Sequence, residues 1–185
     1  MENDEELFRH YCDGDETAIS ELVNRYGDSI TLYLCAIIGD LQDAEDLMVE
    51  AFSRVCARRP FLRDGGFCPY LYRTARNLAL RFLERNRLRR HFGFDDLPQE
   101  PADEILTEEL IQTRLQRQTL RLCMNQLHPD YREALYLVYF REMQHTEAAA
   151  VMGKTVKQLD NLVFRGRKAL RALLEKEGIT DAQYF

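Results

Sequence analysis

A chain of 185 residues, 45% hydrophobic and with a formal charge of -6, has enough apolar content for one ordinary globular domain or two small ones and is not disordered as a whole. No apolar run approaches the roughly 18 to 20 residues that cross a bilayer, and the opening MENDEELFRH is acidic where a secretory leader is basic and then apolar, so a cytoplasmic protein without membrane insertion is expected. Five scattered cysteines without a C-x-x-C pair and four dispersed histidines suggest no disulfide framework, zinc site or catalytic grouping, and no cofactor is assigned.

The charge is segregated along the chain. Residues 1 to 53 carry fourteen acids and two bases, while Arg54 to Arg90 hold eleven arginines against Asp64 and Glu84. Residues 95 to 109 hold seven acids and no base, and 154 to 171 hold six bases against Asp160. Two basic surfaces are therefore hidden in an acidic total, and each suits a polyanion.

From Asp4 to the late thirties the apolar positions recur at helical spacing: Leu7, Phe8 and Tyr11, then Ile19, Leu22, Val23 and Tyr26, then Ile30, Tyr33, Leu34 and Ile37. Gly14 and Gly27 are the expected breaks. A further helix is expected from Asp43 to Arg58, its first turn acidic as the positive end of a helix favours. Leu47, Val49, Ala51, Phe52 and Val55 form its apolar set and leave Glu45, Asp46, Glu50 and Arg54 outside. Pro60 ends it, and Asp64-Gly65-Gly66 supplies a loop. Phe67 to Arg90 then reads as an amphipathic helix with Leu71, Ala75, Leu78 and Phe82 inward and Tyr70, Arg73, Arg76, Asn77 and Leu80 outward.

Prolines and acids replace the periodicity between residues 92 and 105, which marks a linker. Periodicity resumes near Ile105 or Leu106 and continues through Leu110, Leu115, Leu122 and Leu127, ending at His128-Pro129. Asp130 is the expected cap of the next helix, with Ala134, Leu135, Leu137, Val138 and Phe140 as its apolar positions. A helix from Thr146 to Met152, a turn at Gly153-Lys154, an N-cap at Thr155 and a longer helix from Val156 to about Glu175 follow. Small Ala148, Ala149 and Ala150 allow close crossing, and Leu159, Leu162, Val163, Gly166, Leu170 and Leu173 face inward. This is a helix-turn-helix pattern, and the second helix of such a unit lies in the DNA major groove. No alternating run suggests a strand. The fold class expected is all-α: an N-terminal helical bundle over 1–91 and a C-terminal helix-turn-helix domain over 106–185, joined by the acidic linker.

Three stretches together resemble the sigma-70 family of bacterial sigma factors, in its small extracytoplasmic-function (ECF) type. Asp43-Ala44-Glu45-Asp46-Leu47 with Glu50 and Phe52 is similar to the family's DAED-L-x-x-E-x-F signature. Tyr70-Leu71-Tyr72-Arg73 with Ala75-Arg76-Asn77-Leu78-Ala79 is similar to its W-L-Y-x-x-A-x-N-x-A stretch, and Glu147 to Arg167 to its C-terminal helix-turn-helix. The resemblance covers almost the whole chain in order and spacing.

The resemblance implies a non-enzymatic transcription initiation factor with core RNA polymerase and promoter DNA as partners. Asp43, Glu45, Asp46, Leu47, Glu50 and Phe52 would meet the clamp helices of the polymerase largest subunit, with Leu47 and Phe52 packing inward or at the joint. Arg63, Asp64, Gly65, Gly66, Phe67, Tyr70, Arg73, Arg76, Asn77 and Arg81 would capture the melted -10 element. Thr155, Lys157, Gln158, Asp160, Asn161, Phe164, Arg165, Lys168 and Arg171 would read the -35 element as duplex. An anti-sigma factor is the implied inhibitor. The chain departs from the family pattern where Tyr70 replaces the commoner Trp, where Arg81 replaces Asp or Asn, and where Asp160 occupies a position that is often basic. A helix-turn-helix regulator acting without polymerase is the alternative, and would bind duplex tightly by itself. An all-helical Mg-dependent phosphohydrolase using Asp43, Glu45, Asp46 and Glu50 lacks a second carboxylate helix.

Overall fold

A computed structural model describes residues 2–87 and 119–178, which are helical with short connections and, among the described residues, contain no strand. The chain divides into two compact units, described separately. The acidic stretch 92–105 and the apolar positions Ile105, Leu106, Leu110 and Leu115 lie outside the described residues.

The first unit holds α1 (Asp4–Cys12), α2 (Glu16–Ile38), α3 (Leu41–Arg58) and α4 (Phe67–Arg87). Its helix starts follow local chemistry: Asn3 and Glu6 form a reciprocal capping box, the Glu6 N–H donating to Asn3 Oδ1 at 2.7 Å and the Asn3 N–H to Glu6 Oε2 at 3.2 Å. Asp15 caps α2, and Gly39 ends it in the left-handed conformation at φ 80°. Gly27 does not break this helix, contrary to expectation. A glycine inside a helix costs about 1 kcal/mol, and the continuous stripe of Leu22, Tyr26, Ile30, Tyr33 and Leu34 buried on α2 outweighs that.

Leu22, Ile30, Leu34, Val55, Phe67, Leu71 and Tyr72 are fully buried at the centre of this unit, each burial contributing roughly 1.5 to 3 kcal/mol. The Phe67 ring lies 5.4 Å from that of Phe8 and 5.8 Å from that of Tyr26, and Tyr72 meets Tyr33 edge-on at 5.0 Å. Asp4 ties α1 to α2 by accepting from Arg25 at 3.0 Å and from the Tyr26 hydroxyl. Burial, then that carboxylate, holds the Tyr26 hydroxyl well above the usual tyrosine range.

Two details of α3 differ from the expectation. Its N-cap is Asp40, whose Oδ1 accepts from the Asp43 N–H at 2.9 Å, so Asp43 sits inside the first turn. Val49 is 58% exposed, because two residues from Leu47 along a helix is the opposite face. After α3 the chain turns at Arg59, a non-glycine residue at φ 42°, whose guanidinium donates to the Cys12 carbonyl at 3.2 Å and lies 5.9 Å from the Tyr11 ring centroid.

The second unit holds α5, described over residues 119–126, then α6 (Pro129–Leu135) running into a π-helical turn (Tyr136–Phe140), α7 (His145–Met152) and α8 (Val156–Lys176). Its buried side chains include Cys123, Met124, Leu127, Leu135, Leu137, Val151, Leu159, Val163, Leu170 and Leu174. Leu122 and Phe140, expected inside, are exposed, and Leu162 and Leu173 are half-buried with Leu174 taking the inner place. The cap of α6 is His128 rather than Asp130: its Nδ1 accepts from the Asp130 N–H at 3.3 Å with Pro129 as the first helical residue. Close crossing of α6 and α8 centres on Gly166, where a Cβ would stand 3.2 Å from both Leu135 Cγ and Tyr131 Cβ.

Candidate functional site

On α3, Gln42, Glu45, Asp46, Val49 and Ser53 are all exposed, and the 3.6-residue period puts them on one face. This face is acidic with an apolar centre. Glu50 stands at its flank and pairs with Arg54 Nη2 at 2.6 Å, a half-exposed i,i+4 contact worth about 0.3 to 0.5 kcal/mol. Leu47 and Phe52 are 7% and 5% exposed, so of the two places expected for them the inward one holds: they anchor the face and present no side chain to a partner. Val49 belongs to the apolar set of α3 by residue type but not by position, and its two-residue offset from both Leu47 and Ala51 is the signal that separates it.

The second candidate surface is the 59–66 loop with α4. Gly65 has φ 75°, and a Cβ on Gly66 would lie 2.8 Å from the Arg63 carbonyl oxygen, so the backbone doubles back too tightly for a side chain. That turn leaves Arg63, Asp64 and Gly65 exposed. Phe67, expected to contact DNA, is fully buried; its ring fills the core, and its N–H donates to Glu5 Oε1 at 2.8 Å. Its contribution is to fix the loop's exit, and the buried Glu5 carboxylate that receives it had no signal in the surrounding sequence. Tyr70 and Arg76 are half-buried, and Arg76 is engaged within the fold.

Arg73, Asn77, Leu80, Arg81 and Glu84 form the exposed stripe of α4. Arg63, Arg73 and Arg81 make no ion pair among the described residues, so their charge faces outward. Phe61, outside the residues expected at this surface, is 93% exposed in the same loop. An aromatic residue between Pro60 and a glycine pair, without an apolar partner at helical spacing, was the available signal.

The third surface is the outer face of α8, where Thr155, Lys157, Gln158, Asp160, Asn161, Phe164, Arg165, Lys168 and Arg171 are all exposed, Phe164 by 71%. Arg171 is also engaged within the fold, as are Thr155, Gln158 and Asp160. The Thr155 N–H donates to Gln158 Oε1 at 2.9 Å and the Gln158 N–H to Thr155 Oγ1 at 3.2 Å, a capping box that starts α8 at the turn made by Gly153, φ 64°. Asp160 Oδ1 is 2.6 Å from His145 Nδ1 on α7. Lys154 Nζ meets Asp130 Oδ2 at 3.1 Å, joining the turn to α6. Among the described residues no three His, Cys, Asp or Glu side chains converge as metal ligands, and no helix is long and apolar enough to cross a membrane.

Comparison with known proteins gives the arrangement a context. Residues 22–89 match Sigma-70 region 2 and residues 117–170 match Sigma-70, region 4. The chain is 31% identical over 183 residues to the RNA polymerase sigma factor NccH of Alcaligenes xylosoxydans xylosoxydans, covering 95% of this chain and 97% of that one. It is 26% identical over 170 residues to the ECF RNA polymerase sigma factor SigM of Bacillus subtilis, covering 88% and 98%. In fold it is similar to CnrH, solved with the cytosolic domain of CnrY, at TM-score 0.66 and 22% identity over 95% of this chain and 99% of that one. The sigma factor RpoE, solved with the anti-sigma factor NepR from Bartonella quintana, gives TM-score 0.67 and 19% identity over 85% and 96%.

Proposed function

Because the chain belongs to the sigma-70 family of RNA polymerase sigma factors, in its ECF type, we propose that it binds core polymerase through the acidic face of α3 and places the complex on promoters with its two basic surfaces. The outer face of α8 reads the -35 element as duplex, and the 59–66 loop with the α4 stripe captures the -10 element once melted. The domain limits proposed are 1–91 and 106–185, with 92–105 as the tether between the two DNA elements.

The observation that carries this reading is the division of charge on exposed faces. Arg63, Arg73 and Arg81 point outward without acidic partners among the described residues, while Glu45 and Asp46 do the same without basic ones. Opposite charges kept apart in one small unit suit two partners of opposite sign. Strand opening costs a few kcal/mol per unstacked step, which a pocket for an extruded base and a positive groove for the single strand offset. Phe61 adds an aromatic surface for a base, and the glycines let backbone approach it. Bond-making stays with the polymerase, so no catalytic residue is assigned to this chain, and its place of work is the cytoplasm, with the polymerase. Two structural relatives are solved with a CnrY domain and an anti-sigma factor, and we assign an inhibitor of that kind as a third partner.

Glu45→Lys combined with Asp46→Lys reverses the exposed α3 charge without touching the core. Co-purification of core polymerase with the tagged chain is expected to drop at least about tenfold, as for loss of two close charge pairs. Polymerase recovery equal to wild type would contradict the assignment of this face.

A further inference from the structure

Asp160 is the one acid among six bases in residues 154–171, and it occupies the fifth position of α8 on the exposed face. It is neither buried nor left to swing. His145, the first residue of α7, holds its Oδ1 at 2.6 Å, with side-chain exposures of 45% and 54% for the two residues. A pair so exposed adds little stability; what it does is set the direction of the carboxylate. Oδ2 makes no hydrogen bond among the described residues, so one acceptor oxygen remains on the outward face.

Resting on the reading of α8 as the helix that enters the groove, we infer that Asp160 is a specificity-determining residue that selects cytosine in the upstream promoter element, with His145 as the residue that positions it. An ionised carboxylate only accepts hydrogen bonds. Along the major-groove edge, guanine offers the acceptors N7 and O6 and thymine offers O4 beside a methyl group, so both reject it. Adenine offers its N6 amino group next to the acceptor N7, which repels the second oxygen. Cytosine offers the N4 amino donor without an acceptor of its own beside it. Phosphate is excluded as a partner by like charge. Residues near the start of the second helix in this motif are the ones that reach base edges, and Asp160 lies one turn inside that start.

The test is transcription by the full chain with core polymerase on a promoter library randomised across the upstream element, with the templates of the transcripts sequenced. Wild type is expected to favour a C·G pair at one position. Asp160→Asn supplies an acceptor and an amide donor, the set that matches adenine N7 and N6, and is expected to move the preference at that same pair to A·T by about tenfold while other positions hold. His145→Ala is expected to flatten the preference at that pair alone, an effect that a purely structural role would spread over all positions. Identical base profiles for wild type and Asp160→Asn overturn the inference, as does a wild type without cytosine where the variant differs, and an unchanged His145→Ala profile removes the positioning role. Selective transcription by wild type with those failures leaves the proposed function standing; no selective transcription from wild type removes both.

Discussion

Glu5 shows how a single side chain can organise a surface that it never reaches. Its carboxylate, 5% exposed, accepts the Phe67 N–H at 2.8 Å, so an acid from α1 satisfies a donor at the start of α4 that the helix itself leaves unpaired. That bond and the buried Phe67 ring set the point where the loop ends and the basic helix begins. Glu5→Ala should destabilise the first unit by about 1 to 3 kcal/mol, the cost of stranding a buried donor, and Glu5→Gln, which keeps an acceptor, by less. Urea unfolding followed by circular dichroism measures both; equal stability of Glu5→Ala and wild type would mean that water replaces the carboxylate. At this scale the sequence was least informative. The outward places of Arg73, Asn77 and Arg165 follow from period alone, whereas the roles of Glu5 and Phe67 depend on a contact 62 residues apart, which no local pattern encodes. The turn-forming glycines belong to the legible class, since Gly65 and Gly66 sit where backbone must reverse without a side chain.

Among the elements, helices and their order were legible from apolar spacing, and the differences come from places where packing outweighs propensity. Gly27 reads as a break, yet α2 passes through it because about three turns of helix with buried side chains lie on either side. His128 caps α6 through a ring nitrogen, a less common acceptor than the Asp130 carboxylate two residues on, because Pro129 takes the first helical place. Much of the helix-turn-helix was readable: the Gly153 turn, the Thr155 cap and Leu159, Val163, Gly166 and Leu170 of the α8 inner face follow from residue type and period, while Leu174 rather than Leu173 closes that face. Gly166 is its tightest point. Gly166→Val would add bulk where even a Cβ stands 3.2 Å from the Tyr131 and Leu135 stems, and such overpacking costs about 1 to 3 kcal/mol. Thermal unfolding should show a lower Tm for the second unit. A Tm equal to wild type would show that α6 can move aside, and that the spacing of α6 and α8 is not set by this contact.

For the whole molecule the informative quantity is the arrangement of charge rather than its sum. A net charge of -6 would by itself argue against DNA binding, since phosphate contacts supply most non-specific affinity. The acids, however, are concentrated in the first 53 residues and in 95–109, while Arg73, Arg81 and Arg85 of α4 and Lys157, Arg165, Arg167, Lys168 and Arg171 of α8 stand on exposed faces. Such a chain should bind duplex weakly alone, because its acidic segments repel the polyanion that its basic helices attract. Association with polymerase is expected to remove part of that repulsion by covering the α3 face. This dependence on a partner separates the proposed role from that of a regulator acting by itself, which shares the helix-turn-helix but has no use for exposed acids on α3 or outward arginines on α4.

Run-off transcription with purified core polymerase on a promoter library, comparing chain alone, core alone and the two together, tests this dependence most directly. Discrete promoter-initiated transcripts should arise only when both are present, with the chain alone retaining little duplex in the same buffer. Tight duplex binding by the chain alone, together with a core transcript pattern that its addition leaves unchanged, would contradict the account.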